Sequence, residues 1–95
     1  VVLSTVARRH ARSAALAYAD RAPGTIEGFQ IRFEEAITQL SDFPESGQRV
    51  SGTGYLRLSL QPYPYSLVYQ LRGRNVRILA VPHDHQSRTS WFRSR

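Results

Sequence analysis

Cysteine, lysine and methionine are all missing from this chain of 95 residues. The absence of cysteine excludes a disulfide framework, thiolate-ligated zinc, an iron–sulfur cluster and a thiol nucleophile. The absence of lysine excludes a Schiff-base amine. All 13 basic residues are arginine, whose planar fork suits carboxylates and phosphates but cannot act as a base near neutrality. Carboxylates are scarce: 7 against 13 cations leave a net charge of +6 and a pI of about 10.8. That excess favours nucleic acid or an acidic protein as partner. No apolar run approaches the ~18–20 residues of a membrane span, and no signal-peptide pattern is seen, so the expected location is the cytoplasm. A glycine-rich phosphate loop and a serine-nucleophile motif are also lacking. Glu34 and Glu35 are neighbours on a helical stretch, so they diverge and are no acid/base pair. There is no internal repeat, linker or low-complexity tract.

What is present reads as one domain, residues 1–95. A mass of 10.8 kDa suits a single modest core, and 41 % apolar with 21 % charged residues is a globular balance. Val1–Leu3 reads as a very short strand. Ser4 or Thr5 then offers a helix cap, and Ala7, Ala11, Ala14, Ala15 and Tyr18 recur at helical spacing with Arg8, Arg9 and Arg12 on the solvent side. Pro23-Gly24 breaks this helix. Ile26, Phe29, Phe33, Ile37 and Leu40 mark a second, amphipathic one, giving a helical hairpin. Residues 42–54 are turn-like. Period-two alternation follows in three segments: Leu56/Leu58/Leu60, then Tyr65/Leu67/Tyr69/Leu71, then Val76/Ile78/Ala80, with Arg72-Gly73-Arg74-Asn75 as a hairpin turn. The fold class is therefore α+β, an N-terminal helical hairpin packed on a small antiparallel sheet.

Candidate chemistry gathers late in the chain. His83 and His85 stand two apart, so on a strand they share a face, and their ordinary pKa suits proton transfer in RNA cleavage. They lack a third metal ligand close by, and no metal or cofactor is assigned. Arg57 and Arg77 belong to the sheet face turned away from the helices. With Arg88, Arg93 and Arg95 they outline a basic patch fit for phosphates or an acidic peptide. Tyr65 and Tyr69 read as strand residues of the core rather than base-stacking platforms. The tail ends in Trp91-Phe92, an aromatic pair that packs back or engages a partner.

The order of these segments resembles the RelE/ParE superfamily of toxins from type II toxin–antitoxin pairs. The resemblance rests on Ala7-Arg8-Arg9 through Tyr18, on Phe29 to Leu40 closed by Asp42-Phe43-Pro44-Glu45-Ser46-Gly47, and on Tyr55-Leu56-Arg57-Leu58. It continues through Pro64-Tyr65-Ser66-Leu67-Val68-Tyr69, Val76 to His83, and Trp91 with Arg93 or Arg95. The resemblance implies a growth inhibitor neutralised by a cognate antitoxin with an acidic C-terminal segment, in a toxin–antitoxin hetero-oligomer. RelE-like members cut messenger RNA on the ribosome with several basic residues of the sheet. Here Arg57 fits that set and His83 to His85 fit loosely. Ser59 and Ser66 stand where basic residues are expected, and no tyrosine follows Tyr69. This tilts the reading towards the ParE-like branch, which binds DNA gyrase rather than acting as an enzyme, with Arg57, Arg77, Arg88, Trp91 and Arg93 as the target-binding set. The alternative is a ribosome-dependent mRNA endonuclease using Arg57, Arg77, His83, His85 and Arg88. A second alternative is a non-toxic relative that only binds nucleic acid or a partner. Family members begin with a longer first strand, so the N-terminus is expected to be short.

Overall fold

Ser4 joins the two halves of the structure. In the computed structural model, which describes residues 1–21, 24 and 26–84, it separates strand β1 (Val2–Leu3) from helix α1 (Thr5–Arg21). Its Oγ accepts the Ala7 N–H at 3.1 Å, capping the helix, and donates to the Leu79 carbonyl at 3.0 Å. Of the two capping candidates, Ser4 fills the role. Helix α2 (Ile26–Asp42) follows, then β2 (Gln48–Arg49), β3 (Leu56–Ser59), β4 (Ser66–Arg72) and β5 (Asn75–Ala80). The sheet order is β1-β5-β4-β3-β2. The run from β2 to β5 is antiparallel, and β1 adds to β5 in parallel. The mixed sheet with two helices on it is the α+β architecture expected, extended at each edge by a two-residue strand. One of these, β2, lies inside the stretch read as a turn.

Both helices cover one face of the sheet. Ala7 and Ala14 are buried, and their small side chains let α1 lie close against its neighbours. Phe29, Ala36 and Leu40 are the buried residues of α2. Beneath them sit Leu56, Leu60, Leu67, Tyr69, Val76 and Ile78 in one continuous core. An aromatic group closes its end: Tyr18, Phe29, Tyr63 and Tyr65 meet at centroid distances of 5.4–6.2 Å, mostly edge to face. Tyr69 is thus a core residue, and Tyr65, just before β4, is half-buried against that core.

One strand departs from simple alternation. Val68 pairs with Ala80 but Tyr69 pairs with Ile78, so Leu79 is an extra residue in β5. The bulge reverses the parity beyond it. Ala80, expected beside Val76 and Ile78, instead joins Val68 and Tyr55 on the far face, and Val81 enters the core. Helix α1 and its cap satisfy the disrupted backbone: Ser4 takes the Leu79 carbonyl, and His10 Nδ1 accepts the Val81 N–H at 3.1 Å.

Two glycines have positional meaning. Gly73 opens the two-residue β4–β5 turn with φ +62°, a value that side-chain-bearing residues rarely adopt. At Gly47 a Cβ would lie 2.5 Å from the Tyr69 hydroxyl and 2.9 Å from the Arg57 carbonyl. The Tyr69 hydroxyl accepts the Gly47 N–H at 2.9 Å and donates to the Pro44 carbonyl at 3.0 Å, which fixes the turn after α2.

Candidate functional site

The face of the sheet turned away from the helices carries the arginines. The register sets Gln48, Arg57, Val68 and Ala80 in one row across four strands, and Gln70 beside Arg77 two residues along. Strand spacing and rise place the Cα atoms of Arg57 and Arg77 roughly 12 Å apart. The two arginines share a face but not a focus. Arg57 Nη2 bonds Asp84 Oδ1 at 3.0 Å, and the buried Ser66 hydroxyl donates to the same oxygen at 2.7 Å. Ser66 lies on the side of Val68 opposite to Gln70, so the Arg57 head leans away from Arg77.

Asp84 is held there by its own backbone. Its N–H donates to the Pro64 carbonyl at 2.8 Å, and the Ser66 N–H donates to the Pro82 carbonyl at 3.1 Å, continuing the pairing of β4 beyond β5. His83, between these two bonds, bridges to Tyr65 and stands edge-on to its ring at 5.0 Å. Tyr65 packs on the helix-side core. Successive residues of an extended segment alternate faces, so His83 and Asp84 serve opposite sides of the sheet. The structure brings Arg57 and Arg77 to one face and places His83 on the other. His85, Arg88, Trp91, Arg93 and Arg95 lie outside the described residues, as does Phe92.

A polar recess of about 360 Å³ opens beside the Arg57–Asp84 pair, lined by Ser46, Gln48, Ser59 and Gln61. At its rim Arg32 reaches across from α2, donating through Nε to the Gln61 carbonyl at 2.8 Å and through Nη2 to the Ser59 carbonyl at 2.9 Å. Arg32 therefore ties α2 to the end of β3. Among the described residues, no three of His, Asp and Glu gather as metal ligands would. Two titratable groups are displaced from their ordinary range. Burial, with a smaller push from Arg9, lowers the pKa of His10, in keeping with its neutral acceptor role towards Val81. Burial raises that of Tyr69; the Gly47 N–H opposes the rise and Glu45 adds to it.

Sequence reasoning selected Arg57, read Ser66 only as a missing basic residue, and passed over Asp84 and Arg32. One signal for Asp84 was available, because it is the only acidic side chain after Glu45. An arginine-rich strand set with a single acidic residue to serve it points to that residue as the internal counter-ion.

Residues 1–88 match the family described as ParE toxin of type II toxin–antitoxin system, parDE. The chain belongs to that family. Among solved structures it resembles a chain of a chromosomal ParDE toxin–antitoxin system from P. aeruginosa, with a TM-score of 0.75 at 17 % identity. The match covers 85 % of this chain and 90 % of that one, and at such identity it speaks for the fold alone. No curated protein matches the sequence. Among the described residues no helix is long and apolar enough to cross a membrane.

Proposed function

We propose that this ParE-family toxin arrests growth by binding DNA gyrase in the cytoplasm, and that a cognate antitoxin with an acidic C-terminal segment neutralises it. The observation that favours binding over cleavage is the division of the described candidates, Arg57, Arg77 and His83, between two faces. RNA cleavage needs a proton-transfer group and several cations converging on one phosphate, each worth a few kcal/mol at the transition state. Here Arg57 is engaged by Asp84, and His83 packs against Tyr65 on the other side. Arg77 stands two strands and two residues away from Arg57 along the sheet. A binding surface has no such demand for convergence. Arg57 and Arg77, with Arg88, Trp91 and Arg93 of the tail, supply charge and an aromatic anchor for a protein target. Exposed Leu16, Ile31 and Phe43, at 59 %, 55 % and 67 %, give a protein partner apolar area to cover.

Induced expression in bacteria lacking the antitoxin, followed by pulse labelling, tests this reading. An early fall in DNA synthesis with filamentation is expected, abolished by truncation before Trp91 and retained in His83→Ala and His85→Ala. Rapid arrest of translation with cleaved messages, lost in the two histidine variants, would instead establish the mRNA endonuclease. Unimpeded growth with the protein soluble and folded would leave a non-toxic binding relative.

A further inference from the structure

The stretch from Ser46 to His83 contains Arg49, Arg57, Arg72, Arg74 and Arg77 and no carboxylate at all, whereas Glu27, Glu34, Glu35 and Asp42 all belong to α2. Asp84 is thus the one acidic side chain in the sequence from Ser46 onward, and its carboxylate sits in a built cradle. The cradle consists of the Arg57 guanidinium and the fully buried Ser66 hydroxyl, both on the same oxygen. The carboxylate is delivered by an extended segment that pairs with residues 64–66 through its backbone.

We infer that Arg57 and Ser66 form a carboxylate-binding site on the face of the sheet turned away from the helices, and that Asp84 is a built-in occupant which an acidic peptide displaces. The neighbouring recess, about 360 Å³ in volume, has room for a peptide side chain beside the cradle. Its lining favours a peptide over nucleic acid. Ser46, Gln48, Ser59 and Gln61 are neutral hydrogen-bonding residues, and among the lining residues Arg57 is the one cation and Asp84, its present partner, the one anion. A phosphate backbone is held by cations in series, whereas a carboxylate needs one fork and one hydroxyl. Displacement is easy because the pair is partly open to water, with side-chain exposures of 41 % for Arg57 and 29 % for Asp84. A pair this open shifts an equilibrium by no more than about fivefold.

This deepens the reading of the basic face as a binding surface, and the test is separate from toxicity because it scores peptide binding in vitro with no growth assay. The full chain and its Asp84→Asn variant are titrated with a short fluorescent oligoglutamate, and with an oligothymidylate of matched charge, at low salt. The substitution keeps the side chain's shape and one acceptor oxygen while giving up its charge. Oligoglutamate binding is expected to tighten about two- to fivefold in Asp84→Asn, and the gain to vanish when Arg57→Gln is added. The inference is overturned if a folded Asp84→Asn binds oligoglutamate no more tightly, if the gain survives Arg57→Gln, or if only oligothymidylate gains. A second readout needs no variant: the Arg57 Nε–H resonance of the wild-type chain must shift as oligoglutamate is added. An unmoved resonance at saturation also overturns it.

Discussion

The two faces of one sheet differ sharply in what holds them. The helix side buries Leu56, Leu60, Leu67, Tyr69, Val76 and Ile78 to 3 % exposure or less, under two helices and an aromatic group. The open side has a patch of Val68 and Ala80 with Tyr55 against them, then Arg57, Ser66 and Asp84. Hydrophobic burial is the dominant favourable term in folding, so stability is concentrated on the first face. The second is thereby free to carry charge. In a small basic domain this division lets a binding surface vary without dismantling the core beneath it.

Paired truncations on neighbouring residues test the division most directly. Leu67 and Val68 are adjacent in β4, both almost wholly buried, and point to opposite faces. Leu67→Ala is expected to destabilise by about 3 kcal/mol or more, because it opens a cavity in the main core. Val68→Ala removes less apolar volume beneath a thinner cover and is expected to cost about 1–2 kcal/mol. Urea unfolding followed by circular dichroism measures both. Equal losses would mean that the open face is as much a core as the other. Next in size is Tyr69→Phe, which changes no apolar contact yet strands the Gly47 N–H and the Pro44 carbonyl. About 2 kcal/mol is expected in the same assay, and a negligible loss would show that water replaces the hydroxyl.

The helix-side face was largely legible in the sequence, because its signals are local and periodic. The stripe Phe29, Phe33, Ile37 and Leu40 and the alternation of Leu56 to Leu60 depend on neighbours a few residues away. The open face was less legible, because its decisive features are long-range. The bulge at Leu79 leaves no mark in the run from Ile78 to Val81, which is apolar throughout. What accommodates it lies at the start of the chain, where Ser4 donates to one displaced backbone group and His10 accepts from another. Likewise, nothing near Arg57 in the chain announces Asp84, which lies across a turn and the β4–β5 hairpin. The short β2 escaped for another reason: Gln48 and Arg49 are polar, exposed and set among turn-forming residues, whereas the equally short β1 is apolar.

A smaller effect probes the junction between the bulge and α1. His10 accepts the Val81 N–H only while its Nδ1 is unprotonated, and burial holds its pKa below the usual 6.5. The unfolded chain therefore takes up the proton first as pH falls. This contribution to stability is intact above about pH 6.5, is lost as pH drops from there through the folded-state pKa, and levels off below it. Urea midpoints at about pH 7.5 and about pH 5.5 should show the decline in the wild type, with a flatter response in His10→Asn. An equal slope in the variant would assign the decline to other groups.

The smallest expected effect on stability falls on the residue with the most functional weight. Arg57→Gln removes a partly exposed ion pair, and such pairs contribute about 1 kcal/mol or less. Asp84 keeps the Ser66 hydroxyl as donor and stays anchored through the Pro64 carbonyl, so no buried carboxylate is stranded. The urea midpoint should therefore move little, while affinity for a protein partner on the open face falls clearly. That dissociation separates a binding residue from a structural one. A loss of stability as large as that of Tyr69→Phe would mean that the Arg57–Asp84 pair clamps residues 82–84 to the sheet, and the open face would then have to be counted as part of the scaffold.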